Sequence, residues 1–82
     1  MEDAIIALQV DERDNFAPDV QHILTEYGAN IKTRLGLHND NQNQGLILIE
    51  FAGEDNELES FEEELKKVEQ LNFKAMNLKF RE

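Results

Sequence analysis

The chain contains apolar segments of two kinds, short strand-like segments and longer helix-like segments. Their order constrains the fold more than any other feature. Four segments are typical of strands, because they are short and either β-branched or alternate apolar with polar residues. These predicted strands are 4–10, 31–37, 46–51 and 73–80. Between them, two longer segments repeat apolar residues at helical spacing. The pattern therefore predicts two helices, one that ends at Gly28 and one that opens at Asn56.

Each predicted helix carries an apolar stripe and its own end signals. Asn15 is predicted to cap the first helix, and Gly28 to end it in a left-handed conformation. Asn56 and Glu59 form the pattern of a capping box at the start of the second helix. The stripe residues are Phe16, Val20, Ile23, Leu24 and Tyr27 in the first helix and Leu58, Phe61, Leu65 and Val68 in the second.

The order β-α-β-β-α-β predicts an α+β fold, the ferredoxin-like arrangement, as a single domain over residues 1–82. Right-handed crossovers would place both helices on one face of a four-stranded antiparallel sheet with strand order 4-1-3-2. Basic residues fall on the two predicted edge strands, where lysine discourages unwanted strand pairing. An edge strand also tolerates any charge, which is the alternative explanation. These residues are Lys32, Arg34, Lys74, Lys79 and Arg81.

The hairpin between the second and third strands is predicted to centre on Gln42. Arg34 would then face Glu50, and a slip of one residue would exchange the two faces of the strand. The face without helices would hold small and apolar residues around one ion pair, which favours a subunit interface. An ordinary solvated face is the alternative. The predicted interface residues are Ile5, Ala7, Arg34, Gly36, Leu46, Leu48 and Glu50.

The net charge of −10, from 18 acidic and 8 basic residues, narrows the possible functions. It disfavours a nucleic-acid site built on phosphate neutralisation. The absence of cysteine excludes disulfides, thiolate zinc sites and cysteine nucleophiles. No apolar run approaches the ~20 residues that span a bilayer, and the acidic start is unlike a signal peptide. We therefore expect a cytoplasmic protein that binds neither nucleic acid nor a membrane.

Metal and enzyme chemistry have little support in the sequence. His38 with Asp40 is a weak metal candidate that would need ligands from a second subunit, and a solvated turn histidine is the simpler interpretation. Acylphosphatases share the predicted topology and need a loop that cradles phosphate after the first strand. Here that loop surrounds Arg13 with three acids and has no glycine to let amides converge on an anion. We expect no enzyme activity, no metal and no cofactor.

Several pieces of the chain resemble the iron-only hydrogenase system regulators, which are ACT-like proteins. The pieces are 31–36 (Ile-Lys-Thr-Arg-Leu-Gly), the polar turn after it, 46–51, and 73–78 (Phe-Lys-Ala-Met-Asn-Leu). The resemblance covers essentially the whole chain and implies a fold close to ACT domains and to the C-terminal domain of nickel-responsive regulators. Those domains oligomerise and bind small effectors or metal at subunit interfaces. The nickel ligand set of histidines and a cysteine is not reproduced, so we expect no nickel sensing. The ribbon-helix-helix segment of those regulators does not precede the first strand, so we expect no direct DNA reading.

The resemblance predicts a non-enzymatic regulatory or sensor domain, a homo-oligomeric dimer or tetramer that binds a small effector at a subunit interface. By analogy with ACT-like pairs, the ligand is expected at the loops on either side of the first helix. The candidate residues are Asp11, Asp14, Asn15, Tyr27, Gly28 and Asn30. The alternative is a protein-interaction module that docks a basic partner through the seven acidic residues of 54–64.

Overall fold

The computed structural model describes residues 2–11, 17–39, 44–68 and 71–78. Within these residues, two helices and four strands follow one another in the predicted order. The elements are β1 (Glu2–Asp11), α1 (Ala17–Glu26), β2 (Ile31–Asn39), β3 (Gln44–Gly53), α2 (Asp55–Lys66) and β4 (Asn72–Asn77). All strand pairs are antiparallel, and the sheet order is β2-β3-β1-β4. The predicted ferredoxin-like βαββαβ fold and the strand order 4-1-3-2 are therefore confirmed.

The hydrophobic core lies between both helices and one face of the sheet. Successive side chains of a strand point to opposite faces, so alternate residues of β1 and β3 enter this core. The rings of Phe51 and Phe61 stack with centroids 5.0 Å apart, and Tyr27 meets Phe61 edge-on at 5.1 Å. The buried cluster consists of Ile6, Leu8, Val20, Ile23, Leu24, Ile49, Phe51, Phe61, Leu65 and Val68.

The C-terminal end of α1 and the N-terminal end of α2 differ from their predictions. Gly28 does not adopt a left-handed conformation. Instead α1 ends at Glu26, and consecutive short turns carry the chain into β2, with the Asn30 N–H donating to the Tyr27 carbonyl at 2.9 Å. At α2 the N-cap is Glu54, whose N–H donates to the Glu57 carboxylate at 2.8 Å. The predicted capping pair at the start of α2 is thus wrong by two residues.

Some predicted features lie outside the described residues. These are the cap Asn15, the stripe residue Phe16, and the end of the fourth predicted strand with its basic residues Lys79 and Arg81. Within the described residues, β2 and β4 are the sheet edges, as predicted. Lys32, Arg34 and Lys74 therefore lie on edge strands.

The register of the β2–β3 hairpin is one residue away from the prediction. Leu35 pairs with Leu48, whereas the prediction placed it opposite Ile49. The shift runs from Thr33 to the turn, where Asn39 pairs with Gln44, and an irregularity between Ile31 and Thr33 leaves Lys32 without a partner in β3. An extra residue on one strand exchanges its two faces from that point on. Ile31 packs against the core, while the residues after the irregularity have the opposite orientation.

Paired cysteines would test this register in a chain that has none of its own. Leu35→Cys with Leu48→Cys places two thiols directly opposite on one face, with Cα atoms roughly 4.5–5.5 Å apart, a separation that a disulfide tolerates. We expect this pair to oxidise to one intramolecular disulfide, measured by mass spectrometry. The matched pair Leu35→Cys with Ile49→Cys should stay reduced, because its side chains point to opposite faces. A higher disulfide yield in the second pair would contradict the register.

Candidate functional site

One face of the sheet carries neither helix. We call this surface the open face. Cross-strand pairing arranges its side chains in three rows that run across β2, β3, β1 and β4 in that order. The rows are Leu37–Leu46–Gln9–Asn72, Leu35–Leu48–Ala7–Lys74 and Thr33–Glu50–Ile5–Met76.

Apolar side chains make up most of the open face. Leu35 is 51% exposed, Leu37 46% and Met76 60%, which are large exposures for side chains of this kind. The smaller contributions come from half-buried residues, namely Ile5, Ala7, Leu46 and Leu48. Contiguous apolar surface of this kind marks an interaction site in a small monomer, because water gains entropy when such surface is covered.

The polar groups of the open face largely satisfy one another. The Thr33 hydroxyl donates to Glu50 Oε1 at 3.2 Å, which holds the carboxylate against the neighbouring strand. At one border the Lys32 ammonium lies 3.8 Å from Asp3 Oδ1. Lys74 adds one more positive charge on β4. The face therefore carries two acids and two bases, so it is close to neutral in a chain whose net charge is −10.

Five predicted interface residues lie on the open face, and two do not. Ile5, Ala7, Leu46, Leu48 and Glu50 occupy the rows given above. Whether these residues join subunits stays a prediction.

Arg34 and Gly36 were placed on the open face by the wrong register. They pair with Ile49 and Ile47 and lie on the helix side, where Arg34 Nη2 donates to Gln21 Oε1 of α1 at 2.8 Å. The expected pair between Arg34 and Glu50 is therefore not possible. Leu35 and Leu37 take their places. Their alternation with polar residues was visible in the sequence, but it was assigned to the core.

The two loops predicted to bind a ligand lie at opposite ends of the sheet. Asp11 ends β1 beside Gln44, whereas Asn30 lies next to Ala52, whose N–H donates to the Asn30 carbonyl at 2.8 Å. The ten residues of β1 separate these ends by about 30 Å. A single site within one chain therefore cannot use both loops.

Several predicted site residues fall where the structure describes little or nothing. Asp14 and Asn15 lie outside the described residues, as do the side chains of Asp11 and His38. Gly28 lies in the same turn as Tyr27 and Asn30, so the structure brings these three predicted residues together.

Asn30 ties the turn after α1 to the start of α2. Its Nδ2 donates to the Ala52 carbonyl and to Glu57 Oε2, each at 3.1 Å. The other oxygen of Glu57 accepts the N–H of Glu54. A Cβ on Gly53 would lie 2.9 Å from both Asn30 Nδ2 and Glu57 Oε1, so glycine is what lets this network close. The Asn30 side chain is thus engaged in holding the fold.

Beside this turn lies an acidic depression of about 560 Å³. Its lining residues are Tyr27, Asn56, Glu59, Ser60, Glu63 and Glu64. Burial raises the pKa of Tyr27, and the negative charges of Glu26 and Glu64 raise it further. Lys67, the C-cap residue of α2, pairs with Glu64 at 3.2 Å.

The described residues offer no metal centre. Across 2–11, 17–39, 44–68 and 71–78, no three side chains of histidine, aspartate or glutamate cluster closely enough to hold an ion. Neither described helix has the length and apolar character needed to cross a bilayer.

Comparison with known families places the chain. The family described as "TM1266-like: Iron-only hydrogenase system regulator, putative" matches residues 3–75. The chain belongs to this family. The resemblance seen in the sequence is thereby confirmed.

Solved structures of other proteins share the fold of this TM1266-like chain. The uncharacterized protein TM1266 from Thermotoga maritima superimposes with a TM-score of 0.87 at 18% identity, covering 94% of this chain and 96% of its own. A formyltetrahydrofolate deformylase from Pseudomonas putida KT2440 matches with a TM-score of 0.61 at 13% identity. It covers 90% of this chain, which spans only 28% of the deformylase. At these identities both likenesses show the fold alone. No curated protein matches the sequence.

The Asn30–Glu57 network should make stability sensitive to acid. The backbone N–H of Glu54 and the side chain of Asn30 both donate to the Glu57 carboxylate and lower its pKa below the usual 4.5. A lowered folded-state pKa gives stability that is complete above the unfolded-state pKa and is lost as pH falls through the folded-state value. Glu57→Gln should therefore flatten the fall of the melting temperature below about pH 4.5.

The exposed Glu59 of the same helix gives the control. Glu59→Gln should leave the fall of the melting temperature at acid pH as it is in the unmodified protein. If both variants flatten that fall equally, the Asn30–Glu57 contact contributes nothing specific to acid stability.

Proposed function

We propose that this chain is a non-enzymatic regulatory domain that works as a homo-oligomer, in which two copies join through their open faces and hold a small effector at that interface. Membership of a regulator family supports the regulatory role. The observation that carries the proposal is the exposure of Leu35, Leu37 and Met76 on a sheet face that neither helix covers.

The charge distribution favours a second copy as the occupant of the open face. Each copy carries −10, and seven acids fall in 54–64, at the start of α2 and through it. Two copies that met through their helices would bring like charges together, which is costly. The open face is close to neutral and contains one acid, Glu50, and one base, Lys74, within its rows. Such a surface can match itself about a two-fold axis while the acidic helices stay outside.

The size of the open face suits a reversible dimer. Four strands spaced ~4.8 Å apart and a β1 about 30 Å long give a face of roughly 600 Å² per copy. Two such faces would bury about 1,200 Å² in total, which is the low end for a specific interface. An interface of this size forms and separates readily, so an effector that binds the dimer better than the monomer shifts the population.

Leu35→Lys tests the proposed interface by placing a charge in the middle row of the open face, on the edge strand β2. We expect the unmodified chain to be a dimer at micromolar concentration in analytical ultracentrifugation, and the variant to be a monomer. Burial of an unpaired ammonium in the contact would be unfavourable by several kcal/mol.

Thr25→Lys is the matched control for this test. It adds the same charge on the exposed surface of α1 and should leave the dimer intact. Circular dichroism confirms that both variants are folded. A wild-type chain that stays monomeric at several hundred micromolar, or a dimeric Leu35→Lys variant, would contradict the proposal.

The acidic depression supports a second candidate function, docking of a basic protein segment. Glu59, Glu63 and Glu64 share this depression with the half-buried Tyr27 ring, so carboxylates and an aromatic surface lie side by side. This combination suits lysine or arginine side chains, since they pair with carboxylates and stack on rings.

Binding of a lysine-rich peptide would distinguish docking at this depression from attraction by the net negative charge alone. In NMR titrations, Glu59→Lys combined with Glu63→Lys should weaken the peptide about tenfold more than Asp3→Lys combined with Asp19→Lys outside the depression, although both pairs change the net charge equally. Added salt should weaken binding to the unmodified chain, because such contacts are screened. Equal losses of peptide affinity in the two double variants would show that net charge alone causes the binding and would contradict docking at this depression.

A further inference from the structure

A depression of about 400 Å³ interrupts the open face between β1 and β4. We call it the open-face pocket, and its lining residues are Ala7, Gln9, Leu46, Asn72, Phe73 and Lys74. It forms because Ala7 is the smallest side chain of its row and stands between Leu48 and Lys74. The volume falls within the roughly 300–1,000 Å³ of small-molecule sites.

The open-face pocket has an apolar part and a polar rim. Ala7 and Leu46 supply hydrocarbon on neighbouring strands. Asn72 and Gln9 supply the rim, and the Asn72 Nδ2 donates to Gln9 Oε1 at 3.4 Å, so the two amides brace each other across β1 and β4. This arrangement matches the general design of ligand sites, in which apolar surface gives affinity and a few polar groups fix orientation.

Lys74 gives the open-face pocket its charge. Its ammonium forms no ion pair with any residue in the described part of the chain. The acid within the rows of the face is Glu50, which lies two strands away and one row along and already accepts the Thr33 hydroxyl. An unpaired cation beside hydrocarbon is complementary to a ligand with one negative charge and an apolar body.

We infer that the open-face pocket binds a small monocarboxylate with an apolar tail, with its carboxylate on the Lys74 ammonium and its tail against Ala7 and Leu46. The inference rests on the proposed function, since a second copy over the open face would enclose the pocket and make it the effector site. Enclosure removes water, which strengthens the contact between ammonium and carboxylate.

The overall charge of −10 does not prevent an anion from binding there. The acidic residues of the helices lie on the other side of the sheet, and physiological salt weakens interactions between exposed charges that are more than about 8 Å apart. Lys74 is on the near side and interacts with the ligand directly. The local charge therefore decides the sign of the ligand.

Three six-carbon compounds test the chemical class: hexanoate, hexanol and hexylamine. In NMR titrations of the full chain, hexanoate should shift the Ala7 and Leu46 methyl signals in a saturable way, hexanol should bind about tenfold more weakly, and hexylamine should give no shift. Loss of one charge-assisted hydrogen bond corresponds to roughly that factor. Equal binding of all three compounds would overturn the inference.

Variants locate the carboxylate. Lys74→Met keeps most of the length of the side chain and removes its charge, so it should weaken hexanoate about tenfold and leave hexanol unchanged. Lys66→Met on α2 removes a charge elsewhere and should leave both affinities as they are. Ala7→Val fills the pocket and should abolish hexanoate binding in a chain that circular dichroism shows to be folded. Undiminished hexanoate binding in Lys74→Met would overturn the inference.

Sedimentation of the same samples separates the two proposals. If hexanoate raises the dimer fraction and Lys74→Met removes that effect, both are supported. A dimer that binds hexanoate no better than hexanol or hexylamine overturns the ligand class and supports the homo-oligomer. A monomer that binds hexanoate through Lys74 overturns the homo-oligomer and supports the pocket.

Discussion

Both helices pack against one face of the sheet, and the rest of the structure depends on that one-sided packing. Strand alternation sends Ile6 and Leu8 of β1 into the core and leaves Ile5 and Ala7 on the other side. A four-stranded sheet has two faces, and the two helices in the described part of the chain cover one of them. The uncovered face is therefore where a small domain of this kind has most to gain from another molecule.

Electrostatics and packing divide the molecule in the same way. The acidic side chains that produce the charge of −10 concentrate in 54–64 and around the helices, whereas the open face pairs or balances its charges. Among the described residues no polar or charged side chain is buried, so the charges of the described side chains lie at the surface. Repulsion between helical layers and attraction between apolar sheet faces would both favour the geometry of the proposed dimer.

The candidate site was partly predictable from the sequence. Ile5, Ala7, Leu46 and Leu48 were assigned to the open face correctly, because β1 and β3 alternate without interruption. Asn30 was predicted to meet a ligand, but its side chain bonds Ala52 and Glu57, residues far away in sequence. No local pattern announces such a contact. The open-face pocket likewise needs β1, β3 and β4 side by side, since its lining comes from all three strands.

The sequence alone determined the order of the elements, because periods of 2 and 3.6 residues are local properties of the chain. That order, with right-handed crossovers, also determined that both helices lie on one face of the sheet. Tertiary structure decided which way β2 faces. Ile31 packs into the core, and the irregularity at Lys32 then turns Leu35 and Leu37 outward and Arg34 toward α1. Alternation is equally regular in either register, so only the packing of Ile31 and the pairing with β3 could choose between them.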